Sequence, residues 1–268
     1  MEMTLRSALA DYELVEAVGP GCFRATAPKR LGLPLETTVL VWELLVDAAG
    51  WPELSADLSL FAAVGSPDLL RLFETGPDLD RAGTGGYLVS EDPDGGSLES
   101  PTRSLRMGKK VLAVAGAARG AHALHETGLA HGSIQPASIF IADGGGLLGP
   151  PRPAGPSGAI ARPDGWQSVD VLDPELLRGG EPNRGSDVWA LAATLHRACS
   201  RASLYPGLDN ESPVTAVQKV LFGTPVVHES IPSDVAEILD ACFDRDPSNR
   251  PATALELAER LESAEVRS

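Results

Sequence analysis

The sequence has few cysteines, few aromatic residues and no long hydrophobic run. Its three cysteines, Cys22, Cys199 and Cys242, are odd in number and far apart, which argues against a disulfide framework and against a zinc knuckle. No apolar stretch approaches the roughly 18 to 20 residues of a membrane-spanning helix, and the first residues lack the apolar block of a signal peptide. We therefore expect a cytoplasmic protein with reduced thiols and no membrane insertion.

Basic residues are also scarce. The chain of 268 residues has 22 Lys and Arg against 37 Asp and Glu, a net charge of -15. This excess of negative charge argues against nucleic acid and anionic membranes as partners. With 43% hydrophobic and 22% charged residues, the composition is that of a globular protein, and its length allows one large domain or two small ones.

Strand-like patterns come first along the chain and helical patterns come later. Strands are predicted over 12–18, 37–46, 69–74 and 87–90, with a helix over 57–64. Beyond a boundary near 92–96, the patterns predict a strand over 139–142 and helices over 109–127, 187–199, 213–222, 235–243 and 252–263. Residues 144–158 are a low-complexity stretch of Gly and Pro. This order predicts an α+β protein of two lobes.

One stretch of the sequence resembles the catalytic loop of bacterial-type serine/threonine protein kinases. It runs from Leu124 to Ile139 and contains His-Gly-Ser-Ile-Gln-Pro-Ala-Ser at 131–138. Six other segments resemble kinase motifs in the same order, namely 19–23 (glycine-rich loop), 39–42 (lysine strand), 87–98 (fifth strand and hinge), 173–175 (Ala-Pro-Glu motif), 186–191 (central helix) and 246–251 (closing arginine).

The resemblance implies one protein kinase-like domain over 1–268. It would have a small, mainly antiparallel-sheet N-lobe at about 12–92, a hinge at about 91–96 and a mainly helical C-lobe at about 97–263.

The same resemblance implies that the catalytic positions are changed. The catalytic carboxylate would stand at Ser133, the lysine that follows it at Gln135, and the metal-binding asparagine at Ser138. The metal-binding aspartate of Asp-Phe-Gly would fall at Pro150. Because a serine hydroxyl lacks the charge and basicity of a carboxylate, we expect no phosphoryl transfer and no magnesium site. Ser133 as a substitute nucleophile or base is an alternative, but we expect no histidine placed to activate it, because His131 should pack inward.

The nucleotide-binding positions are changed as well. Leu40 and Trp42 stand where kinases have a small alanine and the phosphate-pairing lysine, and Asp57 stands at that lysine's glutamate partner. A shift of one residue would place Glu43 at the lysine position. The remaining positions of this degenerate nucleotide site are Gly19, Gly21, Ser90, Glu91 and Pro93, with Arg24 at the third glycine. We expect weak or absent ATP binding and no cofactor.

The structural residues of the family, in contrast, have matches here. The resemblance implies that His131 braces the catalytic loop, that Asp187 accepts hydrogen bonds from the loop backbone, and that Glu175 pairs with Arg250. Retained structural positions beside changed chemical positions are the pattern of a pseudokinase.

Three other features can be interpreted either as structural or as functional. His122, His125 and His131 could approach a metal ion or be ordinary structural histidines. The cluster Arg103, Arg106, Lys109 and Lys110 could dock a phosphorylated partner or be a solvated helix start. Ser97, Ser100, Thr102 and Ser104 could be phosphorylated by an active kinase.

We therefore predict a catalytically inactive pseudokinase that binds proteins as a regulator or scaffold in bacterial serine/threonine kinase signalling. Its partners would be an active serine/threonine kinase or a phosphopeptide-binding protein; its oligomeric state stays open. One alternative is an atypical kinase or an ATP-binding switch. The other is a sensor of an apolar small molecule bound beside Leu40 and Trp42.

Overall fold

The computed structural model describes residues 9–19, 21–77, 84–151, 169–208 and 211–264. The chain divides into two compact units. The described residues within 1–65 and 70–92 belong to the first unit, and those within 66–69, 93–151 and 160–268 belong to the second. The main division, between Asp92 and Pro93, lies inside the range predicted for the hinge.

The first unit is an antiparallel sheet with one helix. Its elements are β1 (Glu13–Gly19), β2 (Cys22–Thr26), β3 (Thr38–Asp47), α1 (Trp51–Val64), β4 (Leu72–Pro77) and β5 (Thr84–Glu91). The strands are arranged in the order β1-β2-β3-β5-β4, and each neighbouring pair is antiparallel. Four of these strands correspond to predicted ones, while β2 was not predicted.

The central strand β3 is buried on both faces, which explains its nearly continuous apolar sequence. Val39 and Val41 pack on one face with Val89 and Tyr12. On the opposite face, a second apolar cluster contains Leu44 and Leu88 of the sheet together with Leu54 and Leu58 of α1. The helix α1 is therefore held to the sheet by its leucines.

The start of α1 corrects the sequence prediction, which began the helix at Asp57. The helix begins at Trp51, with Pro52 in its first turn, and ends at Gly65 in the left-handed conformation with φ 65°. Proline is compatible with the first turn because the N–H groups there have no partner within the helix.

The second unit is mainly helical. Its elements are α2 (Met107–Glu126), β6 (Ile139–Ala142), β7 (Gly145–Leu148), α3 (Pro174–Leu177), α4 (Arg184–Ser200), α5 (Pro213–Phe222), α6 (Ser233–Cys242) and α7 (Ala254–Ser263). The five predicted helices and the strand over 139–142 are present, with ends that differ by a few residues at most. A sheet unit followed by a helical unit confirms the predicted α+β class.

The strand β7 corrects the interpretation of residues 144–158 as a low-complexity stretch. Gly145 to Leu148 pair with β6 in an antiparallel hairpin. A Cβ on Gly146 would lie 1.9 Å from the carbonyl oxygen of Ala113, and one on Gly116 would lie 2.3 Å from the oxygen of Gly146. These two glycines let the backbone of α2 approach that of β7. The rest of the stretch, beyond Pro151, lies outside the described residues.

Candidate functional site

The first group of site residues lies on one face of the first unit's sheet. Residues directly opposite each other on neighbouring antiparallel strands point to the same side of a sheet. Two such rows cross β2, β3 and β5: Cys22, Trp42 and Leu88 form one row, and Arg24, Leu40 and Ser90 form the other. Leu40 and Trp42 therefore share a face of the sheet.

Trp42 is bound to this face through its ring and its N–H group. Its Nε1 donates a hydrogen bond to Ser90 Oγ at 3.1 Å, and its ring packs against the cluster that contains Leu44 and Leu88. Glu43, the alternative lysine position, alternates to the opposite face, and its backbone N–H donates to Gly21 O at 2.7 Å. Neither position supplies an amine.

The helix α1 presents leucine, not a carboxylate, to this cluster. Leu54 and Leu58 are the buried residues there, whereas Asp57 is exposed. Asp57 makes no ion pair with any residue that the structure describes. Desolvation against the helix surface, together with the negative charge of Glu53, raises the pKa of Asp57. A raised pKa is the expected direction for a carboxylate without a cationic partner.

Arg24, which the sequence analysis placed at the third glycine, is held by two carboxylates. Its Nε donates to Asp92 Oδ2 at 2.5 Å and its Nη2 to Asp92 Oδ1 at 3.2 Å, and its Nη1 contacts Glu16. Hydrogen bonding to Asp92 is the main cause that raises the pKa of Arg24. The bidentate pair connects β2 with the residue after β5.

The other residues predicted for the nucleotide site form contacts within the protein or lie in the turn before β2. Ser90 is fully buried and also donates to Glu91 O at 3.0 Å, while Glu91 Oε1 accepts from Arg71 N at 2.7 Å. Gly19 ends β1 and pairs with Cys22, and Gly21 adopts a positive φ of 64°. Pro93, which belongs to the second unit, is buried, and its carbonyl accepts from Gly96 N at 3.2 Å.

The second group of site residues is the loop between α2 and β6. Asp187, in the first turn of α4, accepts hydrogen bonds from His131 N at 2.7 Å and Gly132 N at 2.9 Å. These are the contacts expected for Asp187. The sequence did not predict a third donor, His125 Nε2, which lies 2.8 Å from Asp187 Oδ2. The side chains of His125 and Asp187 are 0% and 1% exposed, so this carboxylate organises the loop from the interior.

His131 fixes the position of the loop through both ring nitrogens. Its Nε2 lies 2.9 Å from Gly149 O, a carbonyl that can only accept, so Nε2 carries the hydrogen. Nδ1 then accepts from Ser133 N at 3.3 Å. His131 is the histidine beside Ser133, whose Oγ lies 3.5 Å from the same Nδ1. That distance is too long for a strong hydrogen bond to an atom that already accepts one.

Ser138, predicted to stand at the metal-binding asparagine, is turned inward. Ser138 is 2% exposed, and its Oγ donates to Gln135 O at 2.8 Å and accepts from Gln135 N at 2.9 Å. The residues after β7, Gly149 and Pro150, carry no carboxylate. Within the described ranges, no group of three or more His, Cys, Asp or Glu side chains could hold a metal ion. Of the three histidines considered for a metal site, which include His122, two form hydrogen bonds within the protein: His125 with Asp187 and His131 with Gly149.

The predicted pairing of Glu175 with Arg250 is wrong. Arg250 Nη1 contacts Asp173 Oδ2, and these two side chains are 2% and 3% exposed. Asp173 is the N-cap residue of α3, where its Oδ1 also accepts from Glu175 N at 3.0 Å. Glu175 itself faces outward in the first turn and pairs with Arg178 at the surface. The cap position, not the motif glutamate, therefore points into the core.

The segment 97–110 contains the remaining candidates. Lys110 donates to Ala198 O at 2.7 Å, so it does not belong to a free basic cluster, whereas Arg103, Arg106 and Lys109 are exposed. Ser97 Oγ accepts from Ser100 N, and Thr102 Oγ1 donates to Asp94 O. Ser100 and Ser104 are exposed. None of the described helices is long and apolar enough to cross a membrane.

Two features indicate the class of protein. The first unit is an antiparallel sheet with one helix, and in the helical second unit Asp187 of α4 binds the loop that contains His131. The chain belongs to the protein kinase-like superfamily and has its α+β fold. No family model matches the chain.

Its relatives are bacterial serine/threonine protein kinases. The chain is 25% identical over 272 residues to PknB of Mycobacterium tuberculosis and 24% identical over 271 residues to PknB of Mycobacterium leprae. Each alignment covers 95% of this chain and 43% of the relative. PknK of Mycobacterium tuberculosis is 30% identical over 156 residues, which cover 54% of this chain and 14% of PknK. The chain thus spans less than half the length of these relatives.

Proposed function

We propose that the protein is a pseudokinase, a kinase homologue that binds other proteins and does not transfer phosphate. The observation that carries this proposal is the loop held by Asp187. Its backbone is fixed by His131 and Asp187, and the residue that the resemblance places at the catalytic carboxylate is Ser133. Phosphoryl transfer needs a carboxylate to orient the attacking hydroxyl, and a serine hydroxyl is neither charged nor basic.

The sheet face of the first unit supports the same conclusion. The resemblance places Trp42 at the phosphate-pairing lysine, and its indole is bound to Ser90 and to the leucine cluster. Arg24 is neutralised by Asp92 and Glu16. With these side chains in place, we propose that the protein needs neither ATP nor magnesium for its function.

Because its relatives are serine/threonine kinases, we propose that the protein acts as a regulator or scaffold in bacterial kinase signalling. Its partner would be an active serine/threonine kinase or a phosphopeptide-binding protein, and binding would take place in the cytoplasm. The net charge of -15 disfavours nucleic acid as the partner.

Nucleotide binding is tested by thermal unfolding of the full chain with ATP, ADP or no nucleotide, each with and without magnesium or manganese. A ligand at 100 times its Kd adds about 2.7 kcal/mol of stability. For a chain of this size that raises Tm by roughly 5 to 10 °C. We expect no nucleotide-dependent change in Tm. A metal-dependent increase of that size would favour an ATP-binding switch.

Phosphate transfer is tested with labelled ATP, alongside an active bacterial serine/threonine kinase as positive control. We expect no label on the chain or on added protein substrates. Contaminating kinases are recognised with a matched pair of variants, Gln135→Ala in the loop and Gln218→Ala on the exposed side of α5. Transfer that is lost in Gln135→Ala and retained in Gln218→Ala would overturn the proposal. The regulatory role is measured as a change in the rate of a co-purifying kinase when the chain is added.

A further inference from the structure

A short segment before α2, residues 103–106, is exposed and is not held by hydrogen bonds. Arg103, Ser104 and Arg106 are exposed, and Leu105 is half-buried. Residues 103–105 form no hydrogen bond with any residue that the structure describes. Segments with few hydrogen bonds open at a low cost in free energy. This segment can therefore enter the active site of a separate enzyme that modifies it.

Ser104 is the least restrained of the four hydroxyl residues in 97–104. Ser97 Oγ accepts a hydrogen bond from Ser100 N at 3.1 Å, and Thr102 Oγ1 donates one to Asp94 O at 2.9 Å. Ser100 is exposed, but the first of these hydrogen bonds holds its backbone. Ser104 alone of the four combines an exposed side chain with a backbone and a hydroxyl that have no hydrogen-bond partner among the described residues.

The cations beside Ser104 are not neutralised by carboxylates. Arg103, Arg106 and Lys109 are exposed, and none of them forms an ion pair within the described part of the chain. Other arginines do form ion pairs with Asp or Glu side chains, namely Arg24, Arg30, Arg119, Arg178, Arg184, Arg197, Arg250 and Arg260. Although the chain has a net charge of -15, these three neighbouring cations have no carboxylate partner, which favours the addition of a negative charge here.

Phosphorylation would place this negative charge among the cations. A phosphoserine carries a charge of about -1.5 to -2 at pH 7 and three acceptor oxygens, and arginine binds a phosphate with two parallel hydrogen bonds. The Cα atoms of Arg103 and Arg106 lie at most about 4 and 8 Å from that of Ser104 along the chain, within reach of a long side chain. Ser100 instead follows Glu99, whose charge would repel a phosphate there.

We propose that Ser104 is phosphorylated by a separate serine/threonine kinase and that Arg103 and Arg106 then bind the phosphate. The kinase transfers the γ-phosphoryl group of ATP to Ser104 Oγ. A bond forms between that oxygen and the γ-phosphorus, the bond from the γ-phosphorus to the bridging oxygen breaks, ADP leaves with the electron pair, and the hydroxyl proton passes to a base of the kinase. This inference rests on the proposed function, because it requires an active kinase as partner, and it adds the residue which that kinase modifies.

Binding of the phosphate is tested with phosphoserine built into the full chain during translation in place of Ser104, and in place of Ser100 as the matched control. Phosphorus NMR follows the second pKa of the phosphate, which is about 6 in phosphoserine. We expect the arginines to lower this pKa by about 0.5 to 1 in place of Ser104, because a nearby cation favours the charged form, and not in place of Ser100. Equal pKa values at the two positions would overturn the proposal.

A matched pair of double variants shows which arginines act. Arg103→Gln combined with Arg106→Gln should return the pKa of the phosphate to about 6. Arg201→Gln combined with Arg245→Gln removes two other exposed arginines of the same unit and should leave the pKa lowered. All four side chains are exposed, so each variant should fold. If the two double variants behave alike, Arg103 and Arg106 do not bind the phosphate and the proposal is wrong.

The modification itself is tested by incubating the full chain with ATP and PknB of Mycobacterium tuberculosis, followed by mass spectrometry of residues 97–110. We expect phosphate on Ser104, with the modification of this segment lost in Ser104→Ala and retained in Ser100→Ala. Absence of phosphate from Ser104 would overturn this inference and leave the proposed function intact. Phosphate on Ser104 without PknB would instead overturn the proposed function, because the chain itself would have transferred it.

Discussion

Asp173 and Glu175 offer a direct test of how the second unit is held together. The substitution Asp173→Asn removes the negative charge that balances Arg250 and keeps an oxygen for the N–H of Glu175. Since both side chains of the pair are at least 97% buried, Arg250 is left as an uncompensated interior charge. Breaking a buried pair in this way costs about 3 to 5 kcal/mol.

Glu175→Gln is the matched control, because it removes a carboxylate from the same short helix. Glu175 and its partner Arg178 are 49% and 48% exposed. An exposed pair of this kind contributes about 0 to 1 kcal/mol. The two variants should therefore differ by at least about 2 kcal/mol in the free energy of unfolding, and Asp173→Asn should lower Tm by on the order of 10 °C.

The assay is urea and thermal unfolding followed by circular dichroism. A double variant that adds Arg250→Met to Asp173→Asn completes a thermodynamic cycle. The double variant should be less destabilised than the sum of the single variants, by about 1 to 3 kcal/mol. The reasoning fails if Glu175→Gln is as harmful as Asp173→Asn, or if the effects of Asp173→Asn and Arg250→Met simply add.

Three further predictions concern other parts of the second unit. Gly146→Ala should lower the free energy of unfolding by at least about 1 to 3 kcal/mol, because its Cβ would overlap the backbone of α2. The control Gly144→Ala has open space around its Cβ and should change it by less than about 0.5 kcal/mol. Both are measured by urea unfolding. Burial, followed by neighbouring positive charge, lowers the pKa of His196 from 6.5 to about 4. The unfolded chain therefore binds this proton first, so the stabilising effect is complete above pH 6.5 and is lost as the pH falls toward 4. His196→Gln should reduce the slope of unfolding free energy against pH in that window. Asp187→Asn should accelerate hydrogen exchange at the His131 or the Gly132 amide, because asparagine offers one acceptor oxygen where the carboxylate offers two, and unchanged protection of both amides would contradict the assignment.

The sequence predicted most elements because their periodicity is local. The helix α5 was predicted with its observed ends, since Pro213 marks its start and Gly223 follows its end. The sequence did not predict the strand β7, because its placement depends on tertiary packing. Its glycines have a low strand propensity, and what places Gly146 in a strand is its close approach to Ala113.

In the candidate site, too, the sequence did not predict contacts that depend on tertiary packing. The contacts of Asp187 with the loop backbone were expected from the motif, but the hydrogen bond from His125 depends on how α2 packs against α4. Likewise, the motif points to Glu175 as the partner of Arg250. Only the geometry at the start of α3 shows that the cap residue Asp173 takes this role. Motif order identifies the segment, whereas the backbone direction decides which side chain in it is buried.

If Arg24 stands at the third glycine, as the resemblance implies, its ion pair changes what a phosphate would encounter there. In a kinase with glycine there, a phosphate meets backbone N–H groups that are ready to donate. Here a phosphate would first have to displace Asp92 from the guanidinium, so binding would be an exchange of one anion for another. The charge-assisted hydrogen bonds gained would be of the same kind as those lost. Such an exchange provides little net free energy, and the displaced carboxylate would then repel the phosphate.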